Sequence, residues 1–189
     1  MIGLFGGSFD PIHHGHLIVA RCVLEALGLD EVRFVVAREQ PFKVGRHRAP
    51  PEARARMVEL ATAGDPAFRL ERLELEREGP SYTVDTLRAL RAREPAATFA
   101  LLVGADAARD LPQWREAETL HRLAELVLVA RPGAALPRLP WAVRSVTVPA
   151  IEISATEVRQ RVRAGRPIRY WVPDAVAAYI AAEGLYRER

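Results

Sequence analysis

Apolar runs of strand length alternate with amphipathic helical patterns along the chain, and this alternation limits the fold more than any other feature. Apolar runs predict strands at residues 2–5, 32–37, 69–76, 99–103, 126–130 and 143–148. Helical spacing of apolar residues predicts helices from about residue 16 to 27, from about 51, and at 83–93, 117–123, 154–164 and 173–183. Alternating strands and helices indicate an α/β fold with a mainly parallel sheet.

The length of the chain fits one domain with a buried core of its own. With 189 residues it needs neither disulfides nor a structural metal, and we expect a single domain over residues 1–189, with a helical part at about 154–189. The alternation favours a Rossmann-like, doubly wound sheet, in which ligands bind beyond the carboxyl ends of the strands. The residues that directly follow each strand are therefore the first candidates for a functional site.

Composition excludes several classes of protein. A chain that is 49% hydrophobic and 27% charged is neither disordered nor fibrous. The single cysteine, Cys22, cannot form an intrachain disulfide or a cysteine zinc motif, so we expect a buried thiol and a reducing, cytoplasmic location. No apolar run approaches the roughly 18 residues that span a membrane, and the first residues lack the basic region of a signal peptide. We therefore expect no membrane partner.

Charge gives a weaker indication of partners. Arginine accounts for all but one of the 27 basic residues, the exception being Lys43, and the net charge is +3. The resulting pI near 9.5 admits nucleic acid as a partner. Because no nucleic-acid recognition motif accompanies this charge, we expect no nucleic-acid partner.

The loop after the first predicted strand, GGSFDPIHHGH at residues 6–16, gives the strongest functional signal. Gly6 and Gly7 allow the backbone to approach a ligand closely, and a helix start offers free N–H groups and a positive dipole end to a phosphate. His13 and His16 add donors that can carry charge near neutral pH. A tight turn with solvated histidines is the alternative, but three histidines within four positions at a helix start favour an anion site.

The same loop excludes two well-known phosphate motifs and gives no support to a zinc centre. It contains neither GxGxxG, the fingerprint of hydride-transfer dinucleotide sites, nor GxxxxGK[ST], the P-loop of NTPases. No carboxylate stands at the spacing that would make His13 and His16 part of a zinc-protease-like centre. We therefore expect no metal ligands from the protein.

A second candidate anion site opens the helix predicted at residues 154–164. Ser154 and Glu157 form a capping-box pattern, so a well-capped helix is the simplest interpretation. Ser154, Thr156 and Arg159 would also surround the helix N-terminus, where an arginine can bind phosphate oxygens through two parallel hydrogen bonds. Alone this motif decides little, but together with the first loop it predicts a site for several phosphates.

Further segments offer substrate contacts, each with a structural alternative. Asp106, which follows Gly104 at a strand end, suits a ribose and also a helix N-cap. Trp114 provides a flat surface for an aromatic ring, although composition alone favours a core residue. Residues 81–83 (Ser-Tyr-Thr) fit a capped helix start as well as a binding loop, and the basic loop around Lys43 is either solvated or a phosphate contact.

The string GGSFDPIHHGH resembles the HxGH motif of the nucleotidyltransferase superfamily, with His13, Gly15 and His16 in its fixed positions. ISATEVR, which contains the second anion site, is similar to the ISxTxxR motif of the same superfamily. PSYTVDTL and GADAARDLPQW resemble segments of its nicotinate-nucleotide adenylyltransferase family. These segments stand in the family's order, and the resemblance covers essentially the whole chain.

The resemblance implies transfer of the adenylyl group of ATP to nicotinate mononucleotide, which gives nicotinate adenine dinucleotide and pyrophosphate in NAD biosynthesis. It implies in-line attack without a covalent intermediate, with Mg²⁺ held mainly by the ATP phosphates and the two nucleotides as partners. Catalysis would rest on His13, His16 and Arg159. ATP would be bound by Gly6, Gly7, Ser8, Phe9, His13, Gly15, His16, Gly104, Asp106, Ser154, Thr156 and Arg159. The mononucleotide would be bound by Lys43, Ser81, Tyr82, Thr83 and Trp114.

Two positions depart from the family pattern: Phe42 stands for a histidine next to Lys43, and Arg115 stands for an aromatic residue after Trp114. Rival interpretations are transfer to phosphopantetheine, transfer to a phospho-alcohol, and a nucleotide sensor without activity. The PSYT and GADxxxxLxxW segments argue against the first two, and the intact anion motifs argue against the third. The choice between nicotinate and nicotinamide stays open, as does homo-oligomer formation.

Overall fold

The computed structural model describes residues 1–41, 45 and 47–187. Its strands are β1 (Ile2–Gly7), β2 (Glu31–Val36), β3 (Phe68–Glu71), β4 (Phe99–Gly104), β5 (Glu125–Ala130) and β6 (Arg144–Thr147). Its helices are α1 (His14–Leu27), α2 (Pro51–Thr62), α3 (Thr83–Arg93), α4 (Ala105–Asp110), α5 (Ala117–Leu123), α6 (Ala155–Arg163) and α7 (Asp174–Ala182), with a 3₁₀ turn at Leu111–Gln113. No helix in these ranges is long and apolar enough to cross a membrane. The alternation of strands and helices confirms the predicted α/β fold.

The strands form a parallel sheet in the order β3-β2-β1-β4-β5-β6. β1 lies between β2 and β4 near the middle of the sheet. The chain winds from β1 through β2 to β3 on one side, then returns and continues through β4, β5 and β6 on the other. This reversal confirms the doubly wound, Rossmann-like sheet, and it creates a crevice at the carboxyl ends of β1 and β4, where such folds bind ligands.

Apolar side chains cover both faces of the sheet, which explains why its strands have continuous apolar sequences. Successive residues of β4 alternate between two core clusters, so that Leu101 belongs to one and Leu102 to the other. The cluster with Leu102 also contains buried residues of α1, α2, α6 and α7, and the cluster with Leu101 those of α3, α4 and α5. The C-terminal helices therefore share a core with the strands that carry the site.

The best-predicted elements are α3 and α5, which occupy the residues predicted from the sequence. In α3 the apolar residues Val84, Leu87 and Leu90 are all buried, so the helical spacing reported the true packing face. α6 and α7 begin one residue later than predicted, because Ser154 and Pro173 are their N-caps.

Two expectations about the fold are wrong, and two short elements were not predicted. The strand predicted at residues 69–76 ends at Glu71, because the N–H of Leu75 donates to the carbonyl of Arg72 and closes a turn. α4 and the following 3₁₀ turn were not predicted, since such short segments give too little helical periodicity. Cys22 is half-buried rather than buried.

Candidate active site

A cavity of about 730 Å³ opens at the carboxyl ends of β1, β2 and β4. Its volume lies within the range of about 300–1,000 Å³ that is usual for small-molecule sites. Candidate residues from distant parts of the sequence meet in its lining, because parallel strands end at the same edge of the sheet. These residues are Gly6, Gly7, Ser81, Tyr82, Thr83, Gly104, Asp106 and Trp114.

The other described candidates form a second group around the N-termini of α1 and α6. They are Ser8, Phe9, His13, Gly15, His16, Ser154, Thr156 and Arg159. Lys43 and its neighbour Phe42 lie outside the described residues. Gln40 and Pro41, which precede them, line the cavity.

The rings of His13 and His16 stack at the N-terminus of α1, with centroids 3.7 Å apart and 23° between their planes. The backbone N–H of His13 donates to Nδ1 of His16 at 3.2 Å. Since Nδ1 accepts this bond, the proton of a neutral His16 ring lies on Nε2, which remains a donor. Nδ1 of His13 is buried and has no hydrogen-bond partner among the described residues. Such an atom costs about 1–3 kcal/mol, which marks a position kept for function rather than for stability.

Burial makes both histidines neutral near pH 7. Desolvation, with a smaller contribution from His14, lowers the pKa of His13 from 6.5 to about 4. Desolvation, and then the neighbouring His13, lower the pKa of His16 well below its usual value. The expectation that these side chains carry charge near neutral pH is therefore wrong for the protein without ligand, because the sequence does not show their burial. A neutral imidazole still donates one hydrogen bond.

The rings of this loop explain why glycine occupies two of its positions. A Cβ at Gly15 would lie 3.0 Å from Nδ1 of His13, and a Cβ at Gly7 would lie 2.8 Å from the ring of Phe9. Phe9 is buried, and its ring meets that of His16 edge-on, with centroids 5.1 Å apart. The side chain of Phe9 therefore supports His16 from the core.

Asp10 ties four segments together, although sequence analysis did not select it as a functional residue. Its carboxylate accepts hydrogen bonds from the N–H groups of Arg48 and Ala49, at 2.7 and 3.1 Å, and from the hydroxyl of Tyr186 at 2.7 Å. Its carbonyl accepts one from Nη1 of Arg159 at 2.7 Å. Burial, and then the charge of Asp10, raise the pKa of the Tyr186 phenol, which therefore stays a donor. The first loop, the end of the basic loop, α6 and the chain after α7 thus meet at one residue.

Arg54 of α2 is fully buried, whereas a charged residue on a helix is usually exposed. Its guanidinium donates to four main-chain carbonyls over distances of 2.7–3.3 Å. These carbonyls belong to Ser8, Ala37, Arg38 and Ala49. Burial lowers the pKa of this guanidinium, and the charge of Asp10 opposes the shift. Arg54 thereby fixes the first loop against the end of β2.

The predicted cap of α6 is confirmed. Oγ of Ser154 accepts a hydrogen bond from the N–H of Glu157 at 3.1 Å. Nη2 of Arg159 lies one turn further on and donates to the hydroxyl of Thr156 at 3.2 Å. The side chains of Ser154 and Thr156 are exposed, so this helix start faces solvent with two hydroxyl groups and a guanidinium.

The N-termini of α1 and α6 are adjacent. Ile151, which precedes α6, lies 3.6 Å from the position that a Cβ of residue 15 would take. The hydrogen bond from Arg159 to Asp10 joins the same two segments. The two anion sites predicted from the sequence therefore lie side by side. Four residues that hold them there are called the anchoring network below: Asp10, Arg54, Arg159 and Tyr186.

On the cavity side, the structure decides whether Asp106 is an N-cap and whether Trp114 is a core residue. The N-cap of α4 is Gly104 and not Asp106, whose side chain in the first turn is 102% exposed. The interpretation of Asp106 as an N-cap is therefore wrong. Trp114 is half-buried, packs against a core cluster and also lines the cavity, so it combines both of its predicted roles.

The segment before α3 contributes a second wall of the cavity. Oγ of Ser81 accepts a hydrogen bond from the N–H of Arg38 at 3.0 Å, which ties this segment to the end of β2. The N-cap of α3 is Tyr82, without a side-chain cap, so the alternative of a Ser/Thr-capped helix start is wrong. The guanidinium of Arg115 lies 4.7 Å above the ring of Tyr82, and this contact follows from the departure from the family pattern at residue 115.

The cavity also contains Glu74, a buried carboxyl group that sequence analysis missed. The predicted strand at residues 69–76 concealed it, because charged residues of an alternating strand are expected to face solvent. Glu74 instead lies in the turn after β3, and the hydroxyl of Thr86 donates to its Oε1 at 2.7 Å. Burial is the main cause that raises the pKa of Glu74.

A metal ion held by the protein alone would need several donor side chains. Over residues 1–41, 45 and 47–187, no group of three or more His, Cys, Asp or Glu side chains is arranged to hold one. The helix starts described above offer N–H groups, hydroxyls and a guanidinium, which suit anions.

Comparisons with known proteins place the chain among nucleotide-transferring enzymes. A family model described as cytidylyltransferase-like matches residues 4–161. A probable nicotinate-nucleotide adenylyltransferase of Thermus thermophilus is 54% identical over 186 residues, which cover 98% of this chain and 99% of the relative. A relative of the same name from Geobacillus thermodenitrificans is 47% identical and covers 100% of this chain, which spans 87% of the relative. The solved structure of a Plasmodium falciparum nicotinic acid mononucleotide adenylyltransferase complexed with NaAD shares the fold, with a TM-score of 0.79, 22% identity and coverage of 98% and 96%.

Proposed function

The chain belongs to the nicotinate-nucleotide adenylyltransferase family, and we propose that it transfers the adenylyl group of ATP directly to the phosphate of nicotinate mononucleotide. A phosphate oxygen of the mononucleotide attacks the α-phosphorus of ATP, and the bond from that phosphorus to the β-bridging oxygen breaks in line. The products are nicotinate adenine dinucleotide and pyrophosphate. Because the nucleophile is already an anion, the site needs alignment and charge neutralisation rather than a general base or a covalent intermediate.

The observation that carries this proposal is the adjacency of two helix N-termini beside a cavity of nucleotide size. The hydrogen bond of 2.7 Å from Arg159 to the carbonyl of Asp10 joins the two helix starts. Gly7 lines the cavity and lies directly against Phe9, which supports His16. A triphosphate at the helix starts would therefore have its α-phosphorus close to a second nucleotide in the cavity.

The two histidines are proposed to donate hydrogen bonds to the α- and β-phosphates. Nε2 of His16 is the donor left over after its Nδ1 has accepted the bond from His13. Both rings are neutral before ATP arrives, because burial lowers the pKa of each. A bound polyanion favours the protonated forms, so ATP binding raises both pKa values and draws protons from solution. The rings then bring positive charge to the phosphates at the moment of transfer.

The start of α6 is proposed to hold the β- and γ-phosphates. Ser154 and Thr156 present exposed hydroxyls there, and Arg159 presents a guanidinium that is already oriented by two hydrogen bonds. Free N–H groups and the helix dipole at an N-terminus add to the attraction for anions. Orientation before binding reduces the entropy that ATP binding has to overcome.

Mg²⁺ is proposed to enter with ATP and to be held mainly by phosphate oxygens and water. This fits the donor set, because magnesium in nucleotide sites usually takes few ligands from the protein. When bound, it would neutralise charge on the triphosphate and favour departure of pyrophosphate.

Nicotinate mononucleotide is proposed to occupy the cavity. Trp114 would stack on the pyridine ring, and the segment Ser81–Tyr82–Thr83 would face the nicotinate end. Asp106, which lines the same cavity, is proposed to bind the ribose of ATP through its exposed carboxylate. Lys43 is proposed to contact a substrate phosphate.

An assay of pyrophosphate release tests the proposal. The full chain is supplied with ATP and Mg²⁺ and is offered nicotinate mononucleotide, nicotinamide mononucleotide and phosphopantetheine in turn. We expect release with a pyridine mononucleotide and formation of the matching dinucleotide, with none from phosphopantetheine. Absence of release with both pyridine mononucleotides would overturn the proposal, and ATP binding without turnover would favour a nucleotide sensor.

A further inference from the structure

The cavity proposed for an anionic substrate contains a buried acid. Among the described residues that line it, the carboxyl groups are Glu74, Asp106 and Asp110, and the guanidinium is that of Arg115. Asp106 and Asp110 are exposed and are therefore solvated, whereas the residue Glu74 is only 8% exposed. A charge on Glu74 is weakly screened and acts strongly on a ligand in the cavity.

A hydrogen bond holds Glu74 in the lining of the cavity, against the first turn of α3. The hydroxyl of Thr86 donates to Oε1 of Glu74 at 2.7 Å and accepts a bond from Nη2 of Arg77. Oγ of Ser81 accepts from the N–H of Arg38, and the Ser81 hydroxyl acts to lower the pKa of Glu74. Ser81 begins the segment proposed to face the nicotinate end of the substrate.

We propose that Glu74 determines which substituent the site accepts on the pyridine ring. Protonated Glu74 admits the negatively charged carboxylate of nicotinate mononucleotide, and ionised Glu74 repels it while tolerating the neutral amide of nicotinamide mononucleotide. Specificity then depends on the protonation state of one buried side chain. This inference rests on the proposed function, since it concerns the same cavity and the same substrate.

The groups around Glu74 act in both directions on its ionisation. Burial raises its pKa most, and the nearby carboxylate of Glu71 adds to this. The hydrogen bonds from Thr86 and Ser81 and the charge of Arg77 lower it, with a net shift upwards. Glu74 therefore keeps its proton to a higher pH than an ordinary glutamate, and it ionises as the pH rises further. The affinity for nicotinate is expected to fall on that rise.

The ratio of kcat/KM for nicotinate mononucleotide to kcat/KM for nicotinamide mononucleotide isolates this effect. The mononucleotide phosphate, ATP and the two histidines titrate alike with both substrates, so their contributions cancel in the ratio. We expect the ratio to be constant at low pH and to fall by up to about tenfold per pH unit once Glu74 ionises. A ratio that stays constant from about pH 4.5, the ordinary pKa of a glutamate, to about pH 9.5 would overturn the inference.

Two variants assign the titration to Glu74. Glu74→Gln cannot ionise, so its ratio should no longer change with pH. Asp110→Asn removes an exposed carboxylate from the same cavity and should keep the slope of the wild-type chain. A slope that persists in Glu74→Gln, or one that disappears in Asp110→Asn, would contradict the role of Glu74.

Calorimetry on the wild-type chain keeps the inference testable if Glu74→Gln does not fold. Binding of each mononucleotide is measured in two buffers of different ionisation enthalpy at a pH where the ratio is falling. Binding of nicotinate mononucleotide should be coupled to the uptake of more protons than binding of nicotinamide mononucleotide. Equal proton uptake with the two ligands would overturn the inference. Absence of turnover with both substrates would instead contradict the proposed function itself.

Discussion

Arginine is used in two different ways in two regions of this molecule. In the anchoring network, the partners of Arg54 are four main-chain carbonyls, and those of Arg159 are a carbonyl and a hydroxyl. In a second region, Arg33 bonds to Glu94 through two nitrogens at 2.6 and 2.7 Å and to Glu31 through Nε at 2.6 Å. Arg93 pairs with Glu71 there as well. This second region, formed by Glu31, Arg33, Glu71, Arg93 and Glu94, is called the ion-pair cluster.

The difference lies in what happens to the positive charge. In the ion-pair cluster each guanidinium meets carboxylates, so the charges compensate one another and the cluster serves to join β2, β3 and α3. In the anchoring network, Arg54 and Arg159 donate their hydrogen bonds to neutral oxygens, and the partly exposed Arg159 keeps its guanidinium at the second anion site. The partners of an arginine therefore indicate its role in a chain whose basic residues are almost all arginine.

Replacing the fully buried Arg54 and the partly buried Arg33 should give the largest contrast in stability. Arg54→Met leaves four carbonyls without their donor, at about 1–3 kcal/mol for each that water cannot reach, so we expect a loss of at least about 3 kcal/mol. Arg33→Met leaves Glu31 and Glu94 partly exposed, and the buried Glu71 keeps its pair with Arg93, so we expect a smaller loss of about 1.5 kcal/mol. Urea unfolding of both variants measures these losses.

Activity provides the control for this pair. Arg54→Met should also lower kcat, because Arg54 holds the carbonyl of Ser8 in the first loop. Arg33→Met should retain the kcat of the wild-type chain. Equal losses of stability together with equal kcat values would remove the distinction between the two regions.

Loss of a phosphate donor should be the next largest effect. His16→Ala removes the Nε2 donor proposed for the transferring group, and such donors are worth about 10²–10³ in kcat. Glu94→Gln, in the ion-pair cluster, should leave kcat unchanged. Steady-state pyrophosphate release measures both variants, with circular dichroism as the check of folding. Activity of His16→Ala near that of the wild-type chain would contradict the role of His16.

The two regions should also lose stability in different pH intervals. The folded pKa of His13 is about 4 against 6.5, so the unfolded chain binds more protons in this interval and stability falls as the pH drops from 6.5 to 4. The loss of stability that His13 contributes between pH 6.5 and 4 amounts to about 3 kcal/mol. The hydrogen bonds from Arg33 lower the pKa of Glu94 from 4.5 to about 2, so its contribution is present above pH 4.5 and is lost between 4.5 and 2.

Urea unfolding at a series of pH values resolves the two intervals. His13→Asn should weaken the dependence between pH 6.5 and 4 and keep the lower one, because the buried His16 still contributes to the upper dependence. Glu94→Gln should weaken the dependence between pH 4.5 and 2 and keep the one between pH 6.5 and 4. If the dependence between pH 6.5 and 4 were as steep in His13→Asn as in the wild-type chain, burial of a neutral His13 would not contribute to it.

The smallest effect is expected from Arg159→Lys. Lysine keeps the charge but cannot reach both the Asp10 carbonyl and the Thr156 hydroxyl as a planar guanidinium does. Since a charged hydrogen bond contributes about 1.5–3 kcal/mol, we expect kcat/KM for ATP to fall by about 10- to 100-fold. Arg93→Lys, in the ion-pair cluster, should change kcat/KM for ATP little. Wild-type kcat/KM in Arg159→Lys would show that orientation of the guanidinium is unimportant.

The sequence predicted the fold and the anion motifs wherever the signal was local. α3 followed from the spacing of Val84, Leu87 and Leu90, and the first loop followed from its glycines and histidines. α4 was missed because six residues contain less than two turns of a helix. Local patterns also carry no information on burial, which is why the histidines were expected to be charged.

The anchoring network escaped prediction because its partners are far apart in the chain. Asp10 and Tyr186 are separated by 176 positions, and Asp10 and Arg159 by 149. Arg54 occupies a helix position that resembles any solvated arginine until the fold brings the end of β2 against it. Glu74 was assigned to a strand with its side chain in solvent for a related reason. The turn after β3 places that side chain in the cavity instead, and strand alternation does not show this.

A crystal structure with a non-hydrolysable ATP analogue that carries a methylene group between the α- and β-phosphorus atoms tests the central claim most directly. We expect the α- and β-phosphates within hydrogen-bond distance of Nε2 of His16, and the β- and γ-phosphates at the start of α6 beside Ser154, Thr156 and Arg159. The cavity lined by Trp114 should remain open for the mononucleotide. A triphosphate bound in that cavity, or away from both helix starts, would contradict the assignment of the two regions.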